Sequence, residues 1–146
     1  MKISDLLSQA DVMFDVRATN KRLLMQELAA RAAASLGLDV EKIAPYLLKR
    51  EDLGSTGIGR GVAIPHARLP DLPRPFGIFA KLKQAIDFDA IDGQPVDIVF
   101  VLLLPVAAET EALGALALVA RALRSPEHLV RLRNAKSASE LYATIA

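Results

Sequence analysis

The sequence predicts a single layered α/β domain over residues 1–146, with a mixed central β-sheet flanked by helices. Three observations predict it. Apolar residues recur at helical spacing in Leu24, Leu28, Ala32 and Leu36, and again in Leu113, Leu116, Ala120 and Leu123. Between these segments Phe76, Ile78, Ala80 and Leu82 alternate with other residues, as in a half-buried strand. The run Asp97 to Leu104 (DIVFVLLL) is apolar on both faces, as a central strand covered by layers on each side would be.

Taken in order, the first helix spans residues 20 to 36, and Gly37 supplies its stop. A second runs from about Val40 to Glu51 with Asp39 as its cap, and Pro45 sits near its first turn or kinks it. A glycine-rich loop follows. Val62 to Ile64 is a short strand, and Phe76 onward is a longer one. Ile86 and Phe88 extend the β-rich region to a turn at Asp92-Gly93. After the central strand, which Pro105 ends, helix returns from Thr110 to Leu123. Ser125-Pro126 opens another helix, with serine as cap and proline in the first turn. Ser137 to Glu140 (SASE) forms a capping box for a last helix ending near Ile145. No internal repeat or linker interrupts this order.

Composition narrows the function. The chain has 146 residues, 52% of them apolar and 24% charged, which describes a soluble domain with a real core. A formal net charge of +1 gives no general attraction to nucleic acid or to a membrane surface. The absence of cysteine excludes disulfides, thiol catalysis and zinc–thiolate sites. The N-terminal segment carries acidic residues where a signal peptide needs an apolar block, and Ile98 to Leu104 is too short to span a bilayer. The expected location is the cytoplasm.

The chemistry concentrates in GSTGIGRGVAIPHARL, residues 54 to 69. Gly54 and Gly59 have the spacing of a nucleotide P-loop, but Arg60 and Gly61 stand where lysine and a metal-binding hydroxyl belong. The dinucleotide fingerprint and the serine nucleophile elbow also fail. What remains is a loop whose backbone can approach a small anion, through Gly57, Gly59 and Gly61, with Ser55 and Thr56 as added hydroxyl donors. Arg50 offers a planar, permanently charged fork for phosphoryl oxygens. His66 is a candidate nucleophile, because a neutral imidazole attacks phosphorus without a separate base. Transfer between two histidines requires neither metal nor cofactor in principle. A surface turn with an incidental histidine is the other reading of the same residues.

The run R-E-x-L-G-S-T-G-I-G-x-G-V-A-I-P-H-A, residues 50 to 67, resembles the active-site signature of the fructose/mannitol-type IIA domains of the bacterial phosphoenolpyruvate-dependent phosphotransferase system. ISDLL near the start and VFVLLLP later are similar to the nitrogen-regulatory branch. The resemblance covers essentially the whole chain as one IIA domain of that fold. It implies that His66 accepts a phosphoryl group from the phosphohistidine of a small HPr-like carrier, and that Arg50 contacts the phosphate. In the nitrogen branch it implies a regulator whose phosphorylation state selects its protein partners, such as a potassium transporter or a sensor kinase.

One departure stands out. Many members carry a second histidine in a segment like E-H-L, and Glu111-Ala112-Leu113 has alanine there. His128 belongs to a different segment and is expected to be a solvated residue of a short helix. Arg60 is expected to be solvated, and Asp87, Asp89, Asp92 and Asp97 to be strand-end and turn residues rather than metal ligands. Arg121, Arg124, Arg131, Arg133 and Lys136 read as a solvated basic face. Two alternatives accompany the regulatory phosphocarrier: a stand-alone sugar-specific IIA component that passes phosphate to a IIB domain, and a binding module that has kept the fold without the chemistry.

Overall fold

The computed structural model describes residues 1–146. Its axis is β6 (Val96–Pro105), buried along nearly its whole length. On one edge β6 pairs antiparallel with β5 (Phe76–Ile86), which pairs in turn with a parallel β1 (Val12–Val16). On its other edge β6 takes two short parallel strands in succession. β3 (Val62–Ala63) lies against Ile98 and Val99, and β4 (His66–Leu69) against Leu102 through Pro105. β2 (Gly57–Gly59) closes an antiparallel hairpin onto β3, which completes a six-stranded mixed sheet.

Both faces of β6 are apolar because each feeds a different core. Val99, Val101 and Leu103 enter the layer beneath α1 (Lys21–Leu36) and α2 (Ala44–Asp52). Ile98, Phe100, Leu102 and Leu104 enter the opposite layer, built by α3 (Glu109–Arg124), α4 (Pro126–Asn134), α5 (Ala138–Ile145) and the N-terminal turns. The expected layering is therefore present.

α1 begins at Asn20, whose side chain accepts from Leu23 N at 2.9 Å, and ends at Gly37 with φ +69°. The second helix departs from expectation. Residues 40–42 form only a 3₁₀ turn, and α2 restarts at Ala44 behind Ile43, while Asp39 makes no side-chain capping bond. Pro45 explains the break. It donates no N–H, and its ring collides with the carbonyl four residues back in a continuous α-helix.

Ser125 and Ser137 cap their helices as expected, accepting from His128 N and Glu140 N. The capping box is only half formed, because the Glu140 carboxylate takes the N–H of Lys136 rather than that of Ser137. Three strands lay outside the sequence expectation: β1, β2 and β4. The last of these places His66 at the start of a strand.

The largest correction concerns α3. Its buried stripe is Ala112, Ala115, Val119 and Leu123, not Leu113, Leu116, Ala120 and Leu123. The helix carries two overlapping apolar stripes. Small residues take the sheet side, where alanine permits a close approach, and Leu113 stays 57% exposed.

Gly77 on β5 shows how tightly the layers are fitted. A Cβ there would lie 2.6 Å from Cε1 of Phe100, a ring buried in the core and tilted against Phe79 with centroids 5.5 Å apart. Gly77→Ala is therefore expected to lower unfolding free energy by about 1–3 kcal/mol through overpacking. Urea denaturation measures this, and an unchanged midpoint would show that Phe100 yields freely.

Candidate active site

The last turn of α2 supplies Arg50 and Glu51, and the β2–β3 hairpin follows at once. Arg60 and Gly61 turn the chain with φ +59° and +78°. After β3, Ile64 and Pro65 offset the chain before β4, and Leu102 N donates to Pro65 O at 2.9 Å. His66 follows in register with Leu102.

The His66 ring is half-buried, and its Nδ1 lies 2.8 Å from the Ile64 carbonyl oxygen. A carbonyl only accepts, so this contact assigns the proton to Nδ1 and leaves the lone pair on Nε2. Burial holds the imidazole below the ordinary 6.5, and the Arg50 guanidinium adds to that. The Ile64 carbonyl and the Glu51 carboxylate act in the opposite sense without reversing it. At neutral pH the ring is neutral and of defined tautomer, with an unprotonated Nε2.

His66 shares a cavity of ≈ 410 Å³ with Arg50, Ser55 and Thr56. The opposite wall is the outer face of α3, where Leu113, Leu116 and Arg124 project. A second hollow beside it, of ≈ 330 Å³, also contains His66 and Arg50, with Tyr46, Leu53 and Arg68 around it. Arg50 itself is tethered by one bond, Nη1 to Gly54 O at 2.8 Å, which leaves its other donors for a ligand.

The loop differs in detail from the sequence expectation. Ser55 and Thr56 line the cavity, but their hydroxyls are committed elsewhere. Ser55 Oγ donates to Phe88 O at 2.7 Å and accepts from Gly57 N, while Thr56 Oγ1 donates to Glu51 Oε1 at 2.5 Å. They shape the loop rather than offer free donors. The glycines likewise have reasons within the fold. A Cβ on Gly57 would meet Ala90 Cβ at 2.7 Å, and one on Gly61 would meet Arg133 Nη2 at 2.6 Å. Gly59 takes φ +103°, which only glycine adopts readily.

The hairpin tip is clamped from two directions. Asp92 Oδ2 accepts from Arg60 N at 2.9 Å, and Arg133 Nη2 donates to Arg60 O at 2.5 Å. Arg133 also pairs with Asp97 at 3.0 Å. Bonds from the Arg60 and Gln94 amides hold the Asp92 carboxyl below the usual carboxylate range. Arg133 is therefore engaged in a tertiary clamp rather than free on the basic face expected for it, while Arg124 stays exposed, as expected, and also lines the His66 cavity. The Arg60 side chain is exposed, as expected.

His128 is not merely solvated. Its Nδ1 meets the Ala122 carbonyl at 3.1 Å, one of the last carbonyls of α3, which otherwise lack helical partners. Ala112 is buried on the sheet side of α3, so no imidazole enters the site from that position.

Sequence reasoning missed Glu51, Arg124 and the leucine wall. Glu51 lay inside the quoted run beside Arg50. Leu113, Leu116, Ala120 and Arg124 follow one another at helical spacing, so the second stripe was visible but was read as core.

The fold and this site define a class, phosphotransferase IIA domains, and comparison with known proteins agrees. The chain belongs to the family described as "Phosphoenolpyruvate-dependent sugar phosphotransferase system, EIIA 2", whose model matches residues 5–146. Within it, the similarity runs to nitrogen regulatory proteins. The one from Bradyrhizobium diazoefficiens is 43% identical over 146 residues, covering 100% of this chain and 95% of that protein. The Escherichia coli nitrogen regulatory protein is 39% identical, covering 99% and 90%. The crystal structure of nitrogen regulatory protein IIA-Ntr from Neisseria meningitidis superposes with a TM-score of 0.92 at 32% identity, covering 99% of both chains. The Escherichia coli mannitol IIA structure has the same fold, with a TM-score of 0.77 at 18% identity over 96% of this chain and 99% of that one. No helix is long and apolar enough to cross a membrane.

The His66 environment makes a direct prediction. In an NMR titration its midpoint falls below 6.5, with the proton of the neutral ring on Nδ1. The unfolded chain then takes up this proton first as pH falls. The stability tied to neutral His66 is therefore complete above 6.5 and is lost between there and the lower folded value. A midpoint above 6.5 would contradict the assigned balance of burial and charge.

Proposed function

We propose that the protein is a regulatory phosphocarrier in a phosphoenolpyruvate-dependent relay, and that His66 Nε2 receives the phosphoryl group from the phosphohistidine of an HPr-like protein. One observation carries this reading: the Ile64 carbonyl holds the Nδ1 proton of a neutral His66, which leaves a nucleophilic Nε2 in a cavity that also contains Arg50. The relatives' name adds the regulatory part. The phosphorylation state of His66 would select among target proteins of nitrogen, potassium and carbon metabolism, such as a potassium transporter or a sensor kinase.

The step balances without a proton leaving the site. The Nε2 lone pair forms the new N–P bond as the donor's N–P bond breaks, and that bonding pair returns to the donor imidazole. The His66 ring becomes a cation, and its Nδ1–H remains on the Ile64 carbonyl. Arg50, and Arg124 across the cavity, face the phosphoryl oxygens as charge redistributes over them in the transition state. Ile64 and the leucines of α3 limit water around the labile product. α3 contributes Leu113 and Arg124 but no imidazole. Transfer onward to a sugar-type IIB domain is accordingly expected to be slow.

Incubation with phosphoenolpyruvate, enzyme I and the HPr-like carrier should add one acid-labile phosphoryl group, read by intact mass. His66→Ala abolishes it, and Arg50→Ala slows it on the order of 10²-fold with the fold intact. The wild-type rate falls as pH drops below the His66 midpoint, because the protonated ring has no free pair on Nε2. Full labelling of the His66→Ala variant would refute the site. No labelling of the wild type by its own upstream proteins would favour the binding module.

A further inference from the structure

Behind His66 a series of hydrogen bonds, linked through the backbones of Ile64 and Thr56, ends on an ion pair whose lysine lies far from the glycine motif in sequence. The His66 Nδ1–H donates to Ile64 O at 2.8 Å. The N–H of Ile64 donates to Thr56 O at 3.0 Å, and the N–H of Thr56 donates to Glu51 Oε2 at 2.9 Å. Glu51 is 7% exposed and is paired with Lys21 Nζ at 2.8 Å. Each bond fixes the backbone of the next residue, so the position of Glu51 is passed through Thr56 and Ile64 to the His66 ring.

Lys21 anchors the loop at a second point. It donates to Phe88 O at 3.2 Å, the same carbonyl that accepts the Ser55 hydroxyl, and its ammonium sits 4.7 Å from the centre of the Phe88 ring. Both residues at the start of the glycine loop thus rest on acceptors held by one ammonium group from the first turn of α1.

We propose that Lys21 and Glu51 are positioning residues for phosphoryl transfer, holding the His66 ring in its Nδ1–H tautomer and aiming Nε2 into the cavity through Thr56 and Ile64. The inference rests on His66 being the phosphoryl acceptor. Its physical sense follows from the chemistry of that step. When Nε2 gains the phosphoryl group the ring becomes cationic, the Nδ1–H bond strengthens, and the Glu51 carboxylate that acts on the ring is already negative. Lys21 keeps that carboxylate neutralised as a pair, so a buried charge does not stand unbalanced beside an incoming dianion.

The test uses the full chain and two readouts. The first is the tautomer ratio and titration of His66 by ¹⁵N NMR in unphosphorylated protein. Other charges around the ring, Arg50 and Lys49 from α2, Arg68 from β4 and Arg124 from α3, are left in place. The second is the transfer rate at saturating HPr-like donor. Glu51→Gln preserves volume and an acceptor for Thr56. It should move the His66 midpoint down, raise the Nε2–H fraction and cut the limiting rate on the order of tenfold, with half-saturation by donor little changed.

Lys21→Met should give a comparable loss of rate, and Lys21→Arg should restore most of it. The double variant Lys21→Met/Glu51→Gln removes both charges while keeping an acceptor for the buried donors of Thr56. It should stay folded and remain slow. Wild-type tautomer ratio and limiting rate in a folded Glu51→Gln or double variant would overturn the proposal. If the wild type accepts no phosphoryl group, the functional reading fails while the tautomer measurement still decides the positioning role.

Discussion

Strand β6 hydrogen-bonds along both edges and buries side chains on both faces, so most other elements take their position from it. The segment from Val62 to Leu69 lies along one edge as two short strands interrupted at Ile64-Pro65. That interruption brings the Ile64 carbonyl back over the imidazole of His66. A continuous strand would alternate its side chains through this region and leave the histidine without its local acceptor. The register with Leu102 thus sets where Nε2 of His66 lies, and the two cores on either side of β6 keep that register from slipping.

Charge in the site is arranged around a ring that burial keeps neutral. Two arginines face the cavity, and burial together with Arg50 keeps the imidazole unprotonated. The one carboxylate that acts on the ring, Glu51, is buried, hydrogen-bonded to Thr56 and paired with Lys21. Positive potential is therefore open toward the cavity, while the negative charge lies behind the ring. This is a favourable arrangement for a group that binds a dianion on one nitrogen and acquires positive charge on the ring.

Helix α3 divides its apolar residues by size. Alanines and Val119 meet the sheet, and Leu113 and Leu116 form a wall of the cavity that ends in Arg124. One helix thereby closes a core and builds half of a site. At Ala112 the same division leaves a methyl group in the core, and the cavity beside His66 is built without a second imidazole.

Much of this was legible in the chain itself. Periodicity located the main helices and the central strand, the serine caps marked where α4 and α5 begin, and the glycine–proline–histidine run pointed to Arg50 and His66, which share one cavity. These signals are local, carried by residues within a few positions of one another. The break at Pro45 and the half-formed box at Ser137 were misread because a pattern states a preference without its competitor. The two stripes of α3 could not be told apart by spacing, since only the sheet decides which one a helix buries. Gly57 and Gly61 looked like openings for phosphate, but Ala90 and Arg133, distant in sequence, account for them. Lys21 lies 30 residues before Glu51, and nothing in either segment announces the other. Only the packing of α1 against α2 brings ammonium and carboxylate together, because a buried charge must find its partner in space rather than along the chain.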